Sequence, residues 1–222
     1  MENGRLIFRS VAFVLALYFF ITNIILGFYI LKAGSWGGGL KFLTNWNLLL
    51  NFIIACCALI NERNRDFVSY YFVLPASMVL NVLVFVLYWV IKLLGGFGSA
   101  ESGWSIFDVL KDYYMHFGTS VFLFVEVLFY SKTYQDFRKE FSVFGMIFVG
   151  YICWMEFFVQ VRNDFPCGEL ADGTISCGYP YLFLNYLDVV GRLIFYIIVL
   201  ILGVVSWMGC RKLVKGPGHS LF

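Results

Sequence analysis

Two side chains in this sequence have the types needed for hydrolytic chemistry, Thr44 and His116. A threonine hydroxyl is a poor nucleophile until a base takes its proton. Imidazole is the side chain whose unperturbed pKa suits that task near neutral pH. The pair therefore predicts attack on an ester, provided that the fold brings the two side chains together. The other histidine, His219, lies in a basic tail and is expected to be solvated.

Thr44 also belongs to a polar stripe at the start of a long apolar segment. Thr44, Asn47 and Asn51 are spaced i, i+3, i+7, so on a helix they share one face. Polar groups in hydrocarbon cost free energy unless they find partners or face a cavity. One interpretation is a functional site. The alternative is that the amides only bond to neighbouring helices, which is common in membrane bundles.

Other polar residues are candidates to support the pair. Asn45, Asn47 or a helix N-terminal amide would stabilise an oxyanion. Two acids are candidates to orient the imidazole, namely Asp112, which lies one helical turn before the histidine, and Asp188. Ser120 follows in the same polar segment and is counted among the supporting residues.

Charged residues inside the apolar segments also need partners. Glu126, Asp188 and Arg192 are expected to form a buried ion-paired network, because charges inside a bundle usually pair with each other. We therefore interpret this network as stabilising the bundle and assign it no part in catalysis.

The composition is that of a membrane protein. The 222 residues are 61% hydrophobic and 14% charged, whereas soluble domains carry about 25% charged residues. The mean hydropathy is +0.81. The net charge is only +2, which gives no reason to predict nucleic-acid binding.

Six apolar segments are long enough to span a bilayer, at about 20 residues each. We place them near 6–31, 42–60, 67–94, 112–130, 141–161 and 181–208. The sequence thus predicts an all-α bundle of six transmembrane helices, in a single domain over residues 1–222. Pro75 predicts a kink in the third helix. Because the second and fourth helices run in the same direction, Thr44 and His116 are expected at a shared depth, within roughly 3–6 Å of their helix ends.

Lysine and arginine are concentrated on one side of this arrangement. They favour the N-terminal tail, the second and fourth connections and the C-terminal tail, so both termini are predicted to be cytoplasmic. The compartment is predicted only as endoplasmic reticulum or plasma membrane, and the oligomeric state is left open.

The cysteines predict one disulfide and no metal site. Cys167 and Cys177 flank nine residues of an outward loop, where an oxidising compartment favours a bond that contributes roughly 3 kcal/mol. No Cys or His residues are paired at ligand spacing, so we expect neither a metal nor another cofactor.

Several of these residues lie in segments that resemble a known family, the androgen-induced and androgen-dependent membrane proteins. Its Gly-Gly-x-x-Lys-[Phe/Tyr]-Leu-Thr motif is similar to the segment from Gly37 to Thr44. Its Met-His segment and following Glu resemble Met115-His116 with Glu126. Its fifth and last helices are similar to the runs Val149-Gly150-Tyr151-Ile152, with Trp154, and Tyr179-Pro180-Tyr181-Leu182, with Gly191-Arg192.

The resemblance implies a function. That family consists of six-helix membrane hydrolases of fatty acid esters of hydroxy fatty acids, which use a Thr nucleophile and a His. Carried over, these residues are Thr44 and His116, and the substrate is a lipid from the bilayer. The sequence departs from the family at Asn45-Trp46-Asn47 and in the long cysteine-flanked loop. The Thr-Asn-x-Asn pattern is also similar to the rolling stone type, so the alternative is a non-enzymatic lipid-binding or cell-surface interaction protein.

Overall fold

The computed structural model describes residues 2–25, 37–63, 70–93, 105–131, 136–163, 168–169, 175–176 and 178–215. Within these ranges the chain forms six long helical segments. They are α1, Glu2–Phe20 continued by the π-helical turn Ile21–Ile25; α2, Leu43–Arg63; α3, Val73–Leu93; α4, made of Ile106–Tyr113, Tyr114–Gly118, Thr119–Val125 and Glu126–Tyr130; α5, made of Phe137–Cys153, Trp154–Val159 and Gln160–Asn163; and α6, Val189–Lys215.

Smaller elements connect the helices. A 3₁₀ turn, Gly38–Lys41, precedes α2, and a short helix, Leu182–Asn185, precedes α6. Two short strands, β1 (Gly168–Glu169) and β2 (Ile175–Ser176), form an antiparallel hairpin.

Among the described residues, five helices are long and apolar enough to cross a membrane, by length and composition. They are α1, α2, α3, α5 and α6. The polar residues His116, Thr119, Ser120 and Glu126 dilute the apolar character of α4. The all-α membrane bundle predicted from the sequence is thus confirmed, whereas the sixth crossing is not shown.

The helix α3 is the centre of the bundle. In its most apolar window 61% of the residues are buried, against 11% to 39% in the other four spanning helices. It packs against α2, α4, α5 and α6, while α1 packs against α2. Its fully buried side chains include Leu74, Met78 and Leu83, which belong to the main hydrophobic core. The helices that carry Thr44 and His116 therefore both pack against the same rigid support.

The third helix begins later than the sequence predicts. Residues 70–72 form a turn, and α3 begins at Val73 instead of near residue 67. Pro75 is therefore in the first turn, where the missing N–H has no intrahelical acceptor in any case. At this position the proline does not interrupt the hydrogen bonds of the helix, so the reason for predicting a kink no longer applies.

The fourth helix begins earlier than predicted, at Ile106 instead of near residue 112. Ser105 and Asp108 form a capping box, in which the serine hydroxyl accepts from the Asp108 amide and the Asp108 carboxylate accepts from the Ser105 amide. This pattern satisfies two amides at the helix start. His116 is thus deeper along its helix than the predicted start implied.

The last helix also differs from its prediction. The sequence predicts one helix over 181–208, but the chain leaves the helical path after Asn185 and α6 begins at Val189. Asp188 lies just before α6, and its carboxylate accepts from the Gly191 amide at 2.7 Å. Asp188 thus caps one of the free amides in the first turn, which favours the start of a new helix at this point.

Three predictions lie wholly or partly outside the described residues. They are the solvation of His219, the end of α1 near residue 31, and the pairing of Cys167 with Cys177, which stays a prediction. Their sequence neighbours Gly168 and Ser176 are cross-strand partners in the β1–β2 hairpin, and this register supports it.

An ionic cluster joins α1, α2 and α4 at the end of the bundle opposite to Thr44. Arg9 donates to both carboxylate oxygens of Glu126, at 3.1 and 2.5 Å, and to Glu62 at 2.9 Å. Ser131 and Tyr70 also donate to Glu126. Burial, together with the neighbouring Glu126 carboxylate, raises the pKa of Tyr70 to about 12, so this phenol stays a donor.

Candidate functional site

The side chains of Thr44 and His116 are in contact. The Thr44 Oγ1 atom lies 3.3 Å from Nε2 of His116. Thr44 is the second residue of α2, and His116 lies in the π-helical turn Tyr114–Gly118 of α4. In that turn the Thr119 amide bonds to the Tyr114 carbonyl, five residues back. Such turns insert one extra residue into a helix and recur at functional sites, and here the turn carries the imidazole.

A glycine-rich turn sets the start of α2. Gly37 and Gly38 have φ angles of 93° and 49°, which a residue with a side chain rarely adopts. At Gly39 an added Cβ atom would lie 3.0 Å from the side-chain amide nitrogen (Nδ2) of Asn45. That nitrogen donates to the Gly39 carbonyl at 2.8 Å. The side-chain amide of Asn45, the residue after Thr44, therefore points back to the glycine-rich turn and fixes the conformation of that turn.

Aromatic side chains bind the remaining carbonyls of the same turn. The indole N–H groups of Trp46 and Trp154 both donate to the Leu40 carbonyl, at 2.8 and 3.0 Å. The Tyr151 hydroxyl donates to the Lys41 carbonyl at 3.0 Å. Burial lowers the pKa of the Lys41 side chain. The motif before Thr44 is thus a rigid, hydrogen-bonded platform rather than a mobile loop.

Asp112 fixes the tautomer of His116. The Nδ1 atom of the imidazole lies 2.9 Å from the Asp112 carbonyl oxygen and 3.1 Å from its carboxylate. Both groups are acceptors, so the proton of a neutral ring belongs on Nδ1. Nε2 then carries the lone pair that faces the Thr44 hydroxyl. Of the two acids that the sequence left open, Asp112 makes this contact and the helix-capping Asp188 does not.

Tyr88 and Lys92 of α3 complete the support of the imidazole. The Tyr88 ring stacks on the His116 ring with centroids 3.8 Å apart, and its hydroxyl donates to the Asp112 carboxylate. Lys92 donates to the same hydroxyl at 3.2 Å. Sequence reasoning missed both residues. Their spacing of four places them on one helix face, but nothing local connects that face with a histidine on another helix.

For the ester hydrolysis that the sequence predicts, we expect Asp112→Asn to lower kcat by about 10- to 100-fold, less than the loss of about 10⁴ seen when a tautomer is inverted. The backbone carbonyl of Asp112 still holds the Nδ1 proton, so only the charge that stabilises the imidazolium is removed. Steady-state kinetics of the purified variant would measure this. A kcat equal to the wild-type value would show that the carboxylate does not assist the imidazole.

The pair lies at the edge of a cavity of about 510 Å³. Ligand pockets in proteins are typically about 300–1,000 Å³ and mostly apolar. The first turn of α2, the helices α3, α4, α5 and α6, and the segments before α2 and α6 contribute to its walls. Its lining is largely aliphatic and aromatic and includes Val84, Leu87, Ile91, Met115, Phe148, Ile152, Met155, Phe183, Leu184, Phe195 and Val199. The cavity is suited to long hydrocarbon chains.

The residues of the polar stripe divide between two roles, with Thr44 at the cavity and the asparagines in helix packing. Asn47 donates to Asn81 of α3 at 3.0 Å, and Asn51 donates to the Asn47 carbonyl at 2.7 Å. Ser120 of α4 donates to the Asn81 carbonyl at 3.4 Å. The four side chains are buried, and none of them lines the cavity. The packing interpretation therefore holds for Asn47, Asn51 and Ser120, whereas Thr44 faces the cavity.

For the same predicted ester hydrolysis, we expect Asn47→Ala to change kcat by less than about tenfold, because Asn47 does not line the cavity, whereas loss of an oxyanion donor costs about 10²–10³. The variant should unfold more easily, since it leaves the buried amide of Asn81 without one partner, which costs about 1–3 kcal/mol. Kinetics and thermal melting of one preparation would measure both effects. A loss of kcat above 10²-fold with unchanged melting would contradict the packing role.

The predicted network of Glu126, Asp188 and Arg192 is wrong. Glu126 pairs with Arg9, and Arg192 pairs with Glu156 of α5 at 3.1 Å. The reason is the late start of α6, which places Arg192 in the first turn of that helix, at the opposite end of the bundle from Glu126. Asp188 is exposed.

The family model of the FAR-17a/AIG1-like proteins matches residues 5–215. The chain belongs to this family. The match confirms the resemblance to the androgen-induced membrane proteins and covers every described residue from Arg5 to Lys215. Neither the curated proteins nor the solved structures gave a match.

Proposed function

We propose that this protein is an integral membrane hydrolase of lipid esters, with Thr44 as nucleophile and His116 as general base. The observation that carries the proposal is the 3.3 Å contact between Thr44 Oγ1 and His116 Nε2 at the edge of the apolar cavity. Such a distance is within the reach that a nucleophile and its base have without substrate.

The chemistry follows from the tautomer that Asp112 holds. His116 Nε2 takes the proton of the Thr44 hydroxyl as Oγ1 bonds to the ester carbonyl carbon, and the carbonyl electron pair moves onto its oxygen. The tetrahedral adduct then expels the alcohol oxygen, which receives the proton from Nε2. Water, deprotonated by the same imidazole, cleaves the acyl-threonine and releases the fatty acid and the free hydroxyl.

The substrate follows from the cavity and the family. The apolar lining favours long acyl chains that reach the site from the bilayer, and a polar pair at its edge fits an ester between two such chains. We infer that the substrates are fatty acid esters of hydroxy fatty acids, as the resemblance implies. No cofactor takes part in this reaction.

We further propose that α4 is the sixth crossing. Its 25 residues over 106–130 are long enough to span, at about 1.5 Å per residue. Its polar residues Glu126, His116 and Ser120 contact α1, α2 and α3, respectively. With six crossings both termini lie on the same side, which the positive residues assign to the cytoplasm of the endoplasmic reticulum or plasma membrane. Thr44 and His116 then lie near the opposite face, in a single domain.

The test is hydrolysis of a long-chain branched ester by the protein purified in phospholipid nanodiscs, with products measured by mass spectrometry. Release of both products by the wild type, together with background release by Thr44→Ala, supports the proposal. Absence of turnover across branched and linear long-chain esters would favour the non-enzymatic alternative.

A further inference from the structure

The cavity extends from Thr44 and His116 into the interior of the bundle. Of the described residues of α2, those that line it lie in the first turn, from Leu43 to Asn45. Beyond that turn its walls are formed by α3, α5 and α6. On each of these three helices one lining residue lies nearest to the opposite end of the bundle, and together they form what we call the deep end: Val84, Phe148 and Val199.

The deep end lies about one helical turn from the catalytic pair. Tyr88 stacks on the His116 ring, and Val84 precedes it by four residues on α3, a rise of about 6 Å. On α5, Tyr151 bonds to the turn that precedes α2, and Phe148 precedes it by three residues, a rise of about 4.5 Å. Two helices thus place the deep end at a similar distance from the pair.

One turn further along the same three helices the cavity is closed. The residues four places beyond the deep end do not line it: Leu80, Phe144 and Gly203. Phe144 is only 1% exposed, and a Cβ atom added at Gly203 would lie 2.5 Å from its Cζ atom. The Phe144 ring therefore lies directly against the backbone of α6. It also stacks on Phe148 with centroids 5.9 Å apart, so the two rings close the deep end.

We propose that the acyl chain of the substrate occupies the deep end, where Phe148 and Val199 set the longest chain that fits. This inference rests on the proposed function and adds a limit on chain length to it. The bond to Thr44 fixes the carbonyl carbon, so a chain that points into the bundle meets Phe148 and Val199 with its methyl end. The hydroxy acid ends in a carboxylate, which would lose its hydration among apolar side chains without a partner.

The dependence of rate on chain length follows from this closure. A methylene that moves from lipid tails into an apolar cavity changes its surroundings little, so kcat/KM should vary little among the shorter chains. A methylene forced against closely packed rings is unfavourable. We therefore expect a break, the chain length beyond which kcat/KM falls by about tenfold or more.

The test is competition among esters of one alcohol whose saturated acyl chains differ by single methylenes, mixed in the same nanodiscs. The ratios of the released acids, measured by mass spectrometry, give the ratios of kcat/KM. Phe148→Ala removes a ring from the deep end and should move the break to longer chains. Val199→Phe fills the deep end and should move the break to shorter chains, and general damage would not produce these opposite shifts.

Phe157→Ala is the matched control. Phe157 lies on the same helix as Phe148, but it is 68% exposed and does not line the cavity, so its loss should leave the break unchanged. Thermal melting identifies a variant that does not fold. Phe148→Leu and Val199→Leu, which change the volume in smaller steps, then replace it and should shift the break in the same two directions.

The outcomes separate this inference from the proposed function. Hydrolysis without a break, or with a break that is the same in the wild type and in both deep-end variants, would overturn the limit on chain length alone. A break that moves only when the alcohol is lengthened at constant acyl chain would show that the alcohol occupies the deep end, which contradicts the proposal. Absence of hydrolysis by the wild type would overturn the proposed function, and the limit with it.

Discussion

Thr44→Ala and His116→Ala should each lower hydrolysis of a long-chain branched ester by at least about 10³-fold, and the double variant should be no slower than either single variant. The physical reason is that the hydroxyl and the imidazole act as one unit through the contact between Oγ1 and Nε2. Without the base the hydroxyl keeps its proton, and without the hydroxyl the base has no nucleophile to activate. Initial rates of the four proteins in nanodiscs would measure this.

Thr44→Ser is the matched control for the nucleophile. It keeps the hydroxyl and removes one methyl group, so part of the activity should remain. Expression and melting temperature should be nearly unchanged in all variants, because neither Thr44 nor His116 is fully buried. Effects that multiply in the double variant would show that the two residues act independently, which would contradict the pair.

The second large effect concerns stability. Glu126→Ala should lower the free energy of unfolding by about 3 kcal/mol, because the buried charge of Arg9 loses both hydrogen bonds to Glu126 and keeps Glu62 as its carboxylate partner. The side chains of Arg9 and Glu126 are only 7% and 6% exposed. Thermal melting of purified protein would show a large decrease, while residual folded protein at low temperature should keep a nearly normal kcat, since the cluster is remote from Thr44.

Two further variants define that experiment. Lys139→Ala removes an exposed ion pair with Asp136 and should leave the melting temperature almost unchanged, as exposed pairs contribute little. Adding Arg9→Met to Glu126→Ala should restore part of the lost stability, because it removes the buried guanidinium that has lost one of its two carboxylate partners, while Glu62 keeps its pair with Arg5. An unchanged melting temperature in Glu126→Ala would show that the cluster does not hold α1, α2 and α4 together.

Residue type and helix direction were sufficient to select Thr44 and His116. The predicted depth of His116, however, was counted from a wrong start of α4. The sequence places the beginning of α4 near Asp112, although Ser105 and Asp108 carry a recognisable capping pattern. Thr44 and His116 are still in contact, because α2 and α4 lie side by side over several turns and an earlier start of α4 does not separate the two side chains. Side-chain chemistry was therefore a better guide to the site than the predicted helix boundaries were.

The partner of a buried charged residue on another helix was harder to predict than the fact that the residue is paired. Glu126 and Arg192 were both expected to be ion-paired, and both are, but with Arg9 and Glu156 instead of each other. Whether two side chains on different helices pair depends on their depth in the bundle and on the rotation of each helix about its axis. The break at Tyr186–Asp188 changes both quantities for every residue of α6. The stacking of Tyr88 on His116 has the same origin, since it joins two helices through tertiary packing alone.

The polar stripe shows why spacing alone does not separate a site from packing. Thr44, Asn47 and Asn51 share a helix face, yet Thr44 reaches the cavity while the two amides bind Asn81 and its neighbours. The stripe starts at the cavity and continues into the interface with α3. Both interpretations of the sequence pattern thus apply, each to a different part of the same face.

The central claim is that Thr44 is the nucleophile, and labelling with an alkyl fluorophosphonate tests it most directly. The purified protein is labelled and digested, and the modified residue is located by tandem mass spectrometry. We predict a phosphonyl group on Thr44, strongly reduced labelling in His116→Ala and no labelling in Thr44→Ala. Labelling at another hydroxyl that persists in Thr44→Ala, or none in a preparation that hydrolyses the ester, would contradict the account.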